Sequence, residues 1–224
     1  MATQIKNIKK SDNILVIEPY CDQYFHTSIN TIILLVINKL SKKIEFLGPY
    51  SHNKIIKQIW KKLKVKDSPQ FSRLGLFKRN ILIWEVRYLI NILYALFVIK
   101  KSHNKKVIFT SIDYTVFPML FILFRGIIKD SNTYFFVIHK GLKLLNKNRF
   151  ISRAWEIIFL DPKINFIFLD KSSIRAINKF KNIIRDHKRI NILTCKDVEF
   201  NINTKEENTV NKISIFKTFK SLNQ

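Results

Sequence analysis

The stretch KVIFTSIDYTVFPMLFILFRG, residues 106–126, contains one complete strand–loop–helix unit. Residues 106–110 form a short run of β-branched and aromatic side chains, which is typical of a strand buried on both faces. A polar loop follows over residues 111–115, and a helical pattern then continues over residues 116–125 until Gly126 interrupts it. A buried strand followed at once by a helix predicts βαβ units and a parallel sheet.

The same alternation runs along most of the chain and predicts six strands. They are Ile14–Glu18, Lys43–Leu47, Lys106–Thr110, Thr133–His139, Asn165–Leu169 and Arg189–Leu193. Helices are predicted at about 28–41, 53–66, 77–102, 116–125, 150–159 and 170–185, with a loop over 67–76. We therefore expect a single Rossmann-like α/β domain over residues 1–195, whose sheet has about six mainly parallel strands flanked by helices. Residues 196–224 are expected to be a polar tail or the start of a missing second domain.

The charge of the chain is strongly positive, because 40 Lys and Arg stand against 16 Asp and Glu, which gives a formal net charge of +24. Two interpretations remain open: compositional drift over a solvated surface, or an anionic partner. Nucleic acid is the less favoured partner, since no helix-turn-helix, zinc-finger or RNA-binding motif accompanies the charge. Cys21 and Cys195 form no CxxC or Cys/His cluster, so neither a disulfide scaffold nor a metal site is expected.

The longest apolar span is ILIWEVRYLINILYALFVI, residues 81–99. It is barely long enough to cross a bilayer and contains Glu85 and Arg87, so a buried helix is favoured over a membrane span. The N-terminus lacks the apolar stretch and the small-residue cleavage site of a signal peptide. We expect a cytoplasmic protein, with peripheral attachment to the inner face of the membrane as an open alternative.

Candidate site residues follow the strands, because open parallel sheets bind ligands at the carboxyl ends of their strands. They are Glu18, Tyr20, Asp22 and His26 after the first strand, Asp113 and Tyr114 after the third, and His139 with Lys140 at the fourth. Each has a structural alternative: Asp113 could cap the next helix, and His139 could be a hydrogen-bonded packing residue. Gly141 favours a functional His139, because a glycine there allows the backbone to approach a ligand.

Several familiar catalytic motifs do not occur in the sequence. There is no GxGxxG after the first strand and no GxxxxGK[ST], so ordinary dinucleotide binding and P-loop chemistry are unsupported. There is also no GxSxG and no HExxH, which argues against α/β-hydrolase and zinc-protease chemistry. No cofactor is therefore expected from the motifs of this chain.

Four segments carry a family resemblance. They are ILVIEPYCDQYFHTSIN (residues 14–30), VIFTSIDYTVFPMLFIL (107–123), TYFFVIHKG (133–141) and INFIFLDKSSIRAI (164–177). Together they resemble the N-terminal, acceptor-side domain of the GT-B glycosyltransferases, in particular the retaining nucleotide-sugar family that builds bacterial polysaccharides. The resemblance covers about residues 12–194 and implies half of a GT-B fold, with His139 as the catalytic residue near the transferred sugar. It also implies that the acceptor is bound by Glu18, Tyr20, Asp22, His26, Asp113, Tyr114 and Lys140.

The chain departs from that family in two places. The loop after the first strand reads EPYCDQYFH instead of a glycine-rich sequence, and we expect the donor-binding domain of that family to be absent from this chain. The sequence thus predicts an acceptor-binding half in polysaccharide or glycolipid biosynthesis, which needs a donor-domain partner or is truncated; a nucleotide-sugar would bind only if that second domain were supplied. The alternative is a non-enzymatic basic α/β module that binds a membrane surface or a partner subunit.

Two basic segments are candidates for contact with anionic lipid. Their residues are Lys57, Lys61, Lys64, Lys143, Lys147 and Arg149. Lys and Arg near such a surface contribute about 1 kcal/mol each, so these segments predict peripheral membrane attachment. The alternative interpretation is an ordinary solvated face.

Overall fold

The computed structural model describes residues 5, 8–9, 12–19, 33, 37, 43–48, 66–67, 84–101, 105–110, 112–127, 132–138, 148–169, 184 and 186–193. Within them the strands are β1 (Asn13–Ile17), β2 (Lys43–Leu47), β3 (Lys66–Asp67), β4 (Lys105–Phe109), β5 (Thr133–Ile138), β6 (Ile164–Phe168) and β7 (Ile190–Ile192). The helices are α1 (Trp84–Lys101), α2 (Val116–Leu123) and α3 (Arg149–Leu160), with 3-10 turns at Arg125–Ile127 and His187–Arg189.

The strands form one sheet in the order β3-β2-β1-β4-β5-β6-β7, and every neighbouring pair is parallel. From β1 the chain builds outward through β2 to β3, then returns past β1 to β4 and builds outward in the other direction. The order therefore reverses between β1 and β4, which is the switch point of a doubly wound sheet. The described residues form a Rossmann-like α/β domain, and the predicted fold class is confirmed.

The strands are buried on both faces, as their unbroken apolar runs predict. Leu15 and Phe109 belong to the core that also includes side chains of α1, α2 and α3, so these helices cover one face of the sheet. Ile14, Val16 and Ile108, which point to the opposite face by strand alternation, are buried as well. A strand buried on both sides needs no alternation of polar residues, which explains why the sequence shows none.

The helix boundaries follow local chemistry. The side chain of Asn148 accepts hydrogen bonds from the backbone N–H groups of Phe150 and Ile151, so α3 begins with a side-chain cap. The same helix ends at Leu160, immediately before Asp161 and Pro162, as expected because a proline cannot continue a helix.

The sequence-based assignment is wrong at several boundaries. Lys66, predicted to be the last residue of a helix, and Asp67, predicted to begin a loop, form β3 instead. A two-residue strand has no periodicity to detect, and its pairing with β2 exists only in the folded sheet. The helix predicted to reach Arg125 ends at Leu123, and Arg125 begins a 3-10 turn.

Two further errors lie near the last strand. Ile184, predicted to lie in the last turn of a helix, is not helical. Arg189, predicted to begin the last strand, belongs to the 3-10 turn before β7, where its backbone N–H donates to the carbonyl of Asp186 at 3.1 Å. The remaining residues of the predicted helices 53–66 and 170–185, and the predicted tail 196–224, lie outside the described residues.

Arg189 joins three elements at the amino edge of the sheet, although it is only 5% exposed. Its Nη2 donates to the carbonyl of Phe159 at 2.7 Å, and its Nη1 donates to the carbonyls of Asp161 and of Ile164, the latter at 2.9 Å. Burial lowers the pKa of the Arg189 guanidinium from its ordinary value, and the carboxylates of Asp186 and Asp161 oppose this shift. These bonds fix the end of α3 against β6 and β7.

Candidate functional site at the carboxyl edge of the sheet

The switch point places the ends of β1 and β4 side by side. The backbone N–H of Thr110, just after β4, donates to the carbonyl of Ile17 at 3.0 Å, and the N–H of Glu18, just after β1, donates to Leu47 at 2.9 Å. These bonds continue the sheet by one residue beyond each strand. Residues 18 and 110 therefore have fixed positions at the edge where doubly wound sheets bind ligands.

A fully buried carboxylate lies at this point. Glu18 and Thr110 both have no exposed surface, and the Thr110 hydroxyl oxygen is 3.1 Å from Oε2 of Glu18 and 3.2 Å from the Ile17 carbonyl oxygen. A hydroxyl has one proton, so it donates fully to only one of these two acceptors at a time. A carboxyl group at this depth requires hydrogen-bond partners, and the Thr110 hydroxyl is one of them.

The chain around Glu18 is held by contacts from two further elements. Asn91, buried on α1, donates from Nδ2 to the carbonyl of Pro19 at 2.9 Å. Gly48, which follows β2, approaches so closely that a Cβ added there would lie 2.8 Å from Cβ of Glu18 and 2.8 Å from Cζ of Phe46. The loop after β1 therefore starts from a rigid support, in which β2, β4 and α1 each contact residues 17–19.

Asp113 forms the hydrogen bonds of a helix cap. Its Oδ1 accepts from the backbone N–H groups of Thr115 at 2.9 Å and Val116 at 2.7 Å, at the start of α2. Its own N–H donates to the hydroxyl of Tyr88 on α1 at 2.9 Å. Asp113 therefore has the capping role that the sequence offered as its structural alternative. Its contact with an acceptor stays a prediction.

Tyr114 lies at the base of the same loop. The residue is 9% exposed, its ring centroid is 6.2 Å from that of Trp155 on α3, and its carbonyl accepts from Trp155 Nε1 at 2.9 Å. The loop between β4 and α2 is thereby attached to both α1 and α3. Binding of an acceptor by Tyr114 stays a prediction. Because little of the residue is exposed, only a small part of its surface could contact an acceptor.

The other predicted site residues have no described position. Tyr20, Asp22, His26, His139, Lys140, Lys57, Lys61, Lys64, Lys143 and Lys147 lie outside the described residues. For His139 the strand is informative: β5 ends at Ile138, the preceding residue, and β5 is the neighbour of β4. Arg149 is described as the exposed first residue of α3.

Sequence reasoning missed three residues that build this edge. Thr110 was assigned to a strand, although its place at a carboxyl end, one strand away from Glu18, was a usable signal. Asn91 is a polar residue on the otherwise apolar buried side of α1, which also signals a specific bond. Gly48, which follows β2, is the third, because the close approach of Glu18 leaves no room for a side chain there.

Comparison of the chain with protein-family models, with curated proteins and with solved structures finds no match in any of the three. No helix in the described part of the chain is both long and apolar enough to cross a membrane. The described side chains also contain no group of three His, Cys, Asp or Glu placed to hold a metal ion. The class established by the structure is the Rossmann-like α/β domain, and a function has to be argued from its carboxyl edge.

Proposed function

We propose that this chain is the acceptor-binding half of a glycosyltransferase, acting at the cytoplasmic face of a membrane in polysaccharide or glycolipid biosynthesis. The observation that carries the proposal is the position of Glu18 and Thr110 at the switch point of the sheet. Asp113 lies close by, in the loop between β4 and α2. Two of the four sequence segments that resemble the GT-B acceptor domain, residues 14–30 and 107–123, contribute these residues.

The chemistry of this edge suits a hydroxyl-rich ligand. Glu18 and Thr110 have no exposed surface, so in this proposal they support the edge from below, and the partly exposed Asp113 accepts hydrogen bonds from sugar hydroxyls. Glu18 is held by Thr110, and the chain beyond it is held at Pro19, so the floor of the edge is already ordered before a ligand arrives. In this proposal His139, which directly follows β5, donates to the transferred sugar or its phosphate.

In this proposal the chain does not bind the sugar donor itself. A nucleotide-sugar would be bound by a separate donor domain, and the acceptor half would position the attacking hydroxyl against it. Turnover of a nucleotide-sugar by this chain alone would contradict the requirement for a separate domain. It would leave acceptor binding at the carboxyl edge intact.

Saturation-transfer NMR with oligosaccharide and polyprenyl-phosphate probes tests the acceptor site. We expect transfer to the sugar protons of at least one probe, and a weaker transfer in Thr110→Val, which keeps the shape of the side chain and removes the buried hydroxyl that holds Glu18. Thr133→Val, which changes a threonine at the amino end of β5, is the matched control and should retain the signal. The absence of transfer from every probe, or equal transfer in both variants, would overturn the acceptor-site proposal.

The alternative is a non-enzymatic basic α/β module that binds a membrane surface or a partner subunit. It is favoured by exposed apolar side chains on α1, α2 and α3, which an acceptor site does not require. The two functions differ in one measurement: a module without enzymatic function gives no saturation transfer to sugars at the carboxyl edge and still binds through its helices.

A further inference from the structure

Large apolar side chains are exposed on the helices that cover the sheet. In the part of the chain that the structure describes, every exposed large apolar residue lies on α1, α2 or α3. We name six of them the outer helix face: Leu93, Phe97, Met119, Leu123, Phe150 and Leu160. Phe150 is 79% exposed and Leu123 is 72% exposed, so most of the surface of these two residues lies outside the core.

The six residues belong to one layer of helices. The buried sides of α1, α2 and α3 contribute to a single core on one face of the sheet, and α2 contacts both other helices. The sides of the helices turned away from that core therefore point away from the same face of the sheet. Leu93 with Phe97, and Met119 with Leu123, are spaced four residues apart, which places each pair on one side of its helix.

Exposed cations accompany this apolar face. Lys100 and Lys101 end α1, and Lys101 Nζ lies 4.3 Å from the centroid of the Phe97 ring. Arg149 begins α3, whereas Arg125, which follows α2, pairs with Asp161 at 2.7 Å. Among the described side chains of these helices the one carboxylate is Glu156, which pairs with Arg153 at 2.8 Å. The layer thus combines apolar side chains with an excess of positive charge.

We infer that the outer helix face binds the surface of an anionic lipid bilayer. Leucine and phenylalanine side chains would enter the boundary between headgroups and acyl chains, and the Lys and Arg heads would contact lipid phosphates. This is a different surface from the carboxyl edge, and the inference does not depend on sugar transfer. It also differs from the first basic segment that the sequence nominated, with Lys57, Lys61 and Lys64, and it shares only Arg149 with the second.

Charge complementarity favours a bilayer over a second copy of this chain. In a two-fold dimer the outer helix face of one copy would pack against the same face of the other. The cations around the two faces would then lie close to each other and repel. An anionic bilayer supplies the opposite charge across the whole patch and accepts apolar side chains of any arrangement. The occupant that matches both properties is therefore the lipid surface.

Vesicle flotation tests the apolar part of the face. The full chain should float with vesicles of phosphatidylcholine and phosphatidylglycerol in equal parts, and should bind pure phosphatidylcholine vesicles much more weakly. The double variant Leu123→Ser with Phe150→Ser should lower the partition coefficient by about tenfold or more, because each substitution removes a large apolar side chain from the interface. Both sites are highly exposed, so circular dichroism should show an unchanged fold.

A matched pair of charge variants separates a specific face from general attraction by a chain of net charge +24. Lys100→Gln with Arg149→Gln removes two charges from the helix layer, and Lys43→Gln with Lys188→Gln removes two charges from exposed positions at the amino edge. The first variant should bind several-fold more weakly than the second. Equal weakening by both, or unchanged flotation of the serine double variant, would overturn the inference.

Light scattering decides the remaining outcome. If the chain is a dimer in solution and the serine double variant is a monomer, the face joins two copies and the lipid assignment is overturned. Retained flotation in a preparation that gives no saturation transfer to sugars would separate this inference from the proposed glycosyltransferase function.

Discussion

Replacement of Arg189 by Met is expected to lower the free energy of unfolding by about 3 kcal/mol. Arg189 donates to three backbone carbonyls, at Phe159, Asp161 and Ile164, and a hydrogen bond from a charged donor contributes roughly 1.5–3 kcal/mol. The gross value of about 4.5–9 kcal/mol is reduced by the desolvation of the guanidinium, which costs several kcal/mol. The expected net loss of about 3 kcal/mol is what remains of the gross value after this cost.

Urea denaturation followed by far-UV circular dichroism measures this loss, and thermal melting should show a decrease of roughly 6–12 °C, at about 2–4 °C per kcal/mol for a chain of this size. Arg189→Lys keeps the charge and should lose less, because a single ammonium group replaces the planar fork that reaches three carbonyls. Lys188→Met, at the exposed neighbouring position, is the control and should stay within about 0.5 kcal/mol of the wild type. A loss below about 1 kcal/mol in Arg189→Met would refute the assigned role.

The pH dependence of this effect has a defined sign. Because burial lowers the pKa of Arg189, the native state binds this proton less tightly than the unfolded chain does. The free energy of unfolding therefore increases with pH only where Arg189 has lost its proton in the native state and keeps it in the unfolded chain. That interval lies in the strongly alkaline range. The difference between wild type and Arg189→Met should accordingly be the same at about pH 6 and about pH 9.

Two further predictions concern the carboxyl edge. Gly48→Ala should cost about 1–3 kcal/mol in urea denaturation, because the new Cβ would lie 2.8 Å from Cβ of buried Glu18; a neutral result would show that the turn relaxes away. Asp113→Ala should cost about 1 kcal/mol through loss of the cap on α2, whereas Asp113→Asn should recover most of that loss, since an amide oxygen caps as well as a carboxylate. Equal stability of the Ala and Asn variants would show that the cap contributes nothing measurable.

The six longer strands could be predicted because each leaves a strong local signal. KVIFT and TYFFVI are short, β-branched or aromatic and uninterrupted, and the folded sheet buries them on both faces. β3 leaves no such signal, because two residues, Lys66 and Asp67, are joined to the sheet edge by pairing with β2 alone. Helix ends were predictable where a cap or proline marks them, as at Pro162, and not at α2, where the chain tightens into a 3-10 turn.

The candidate site could be predicted only in outline. The rule that ligands bind at carboxyl ends selected Glu18 and Asp113 from the sequence, and the structure places both near the switch point. The bond between Glu18 and Thr110 joins residues 92 positions apart, and the bond from Asn91 to Pro19 joins residues 72 positions apart. Contacts of this range depend on which strands become neighbours, and no local pattern encodes that order.

The sequence by itself determined the class of this protein: apolar strands alternating with helices can bury their surfaces only as a layered α/β sheet, and its positive charge was plain from composition. Only the tertiary structure decided the order of the strands, and with it the burial of Glu18 beside Thr110 and Gly48. It also decided that α1, interpreted from its apolar sequence as a buried helix, exposes Leu93 and Phe97. The physical reason is the same in both cases, since burial is a property of neighbours, and neighbours are assigned when the sheet assembles.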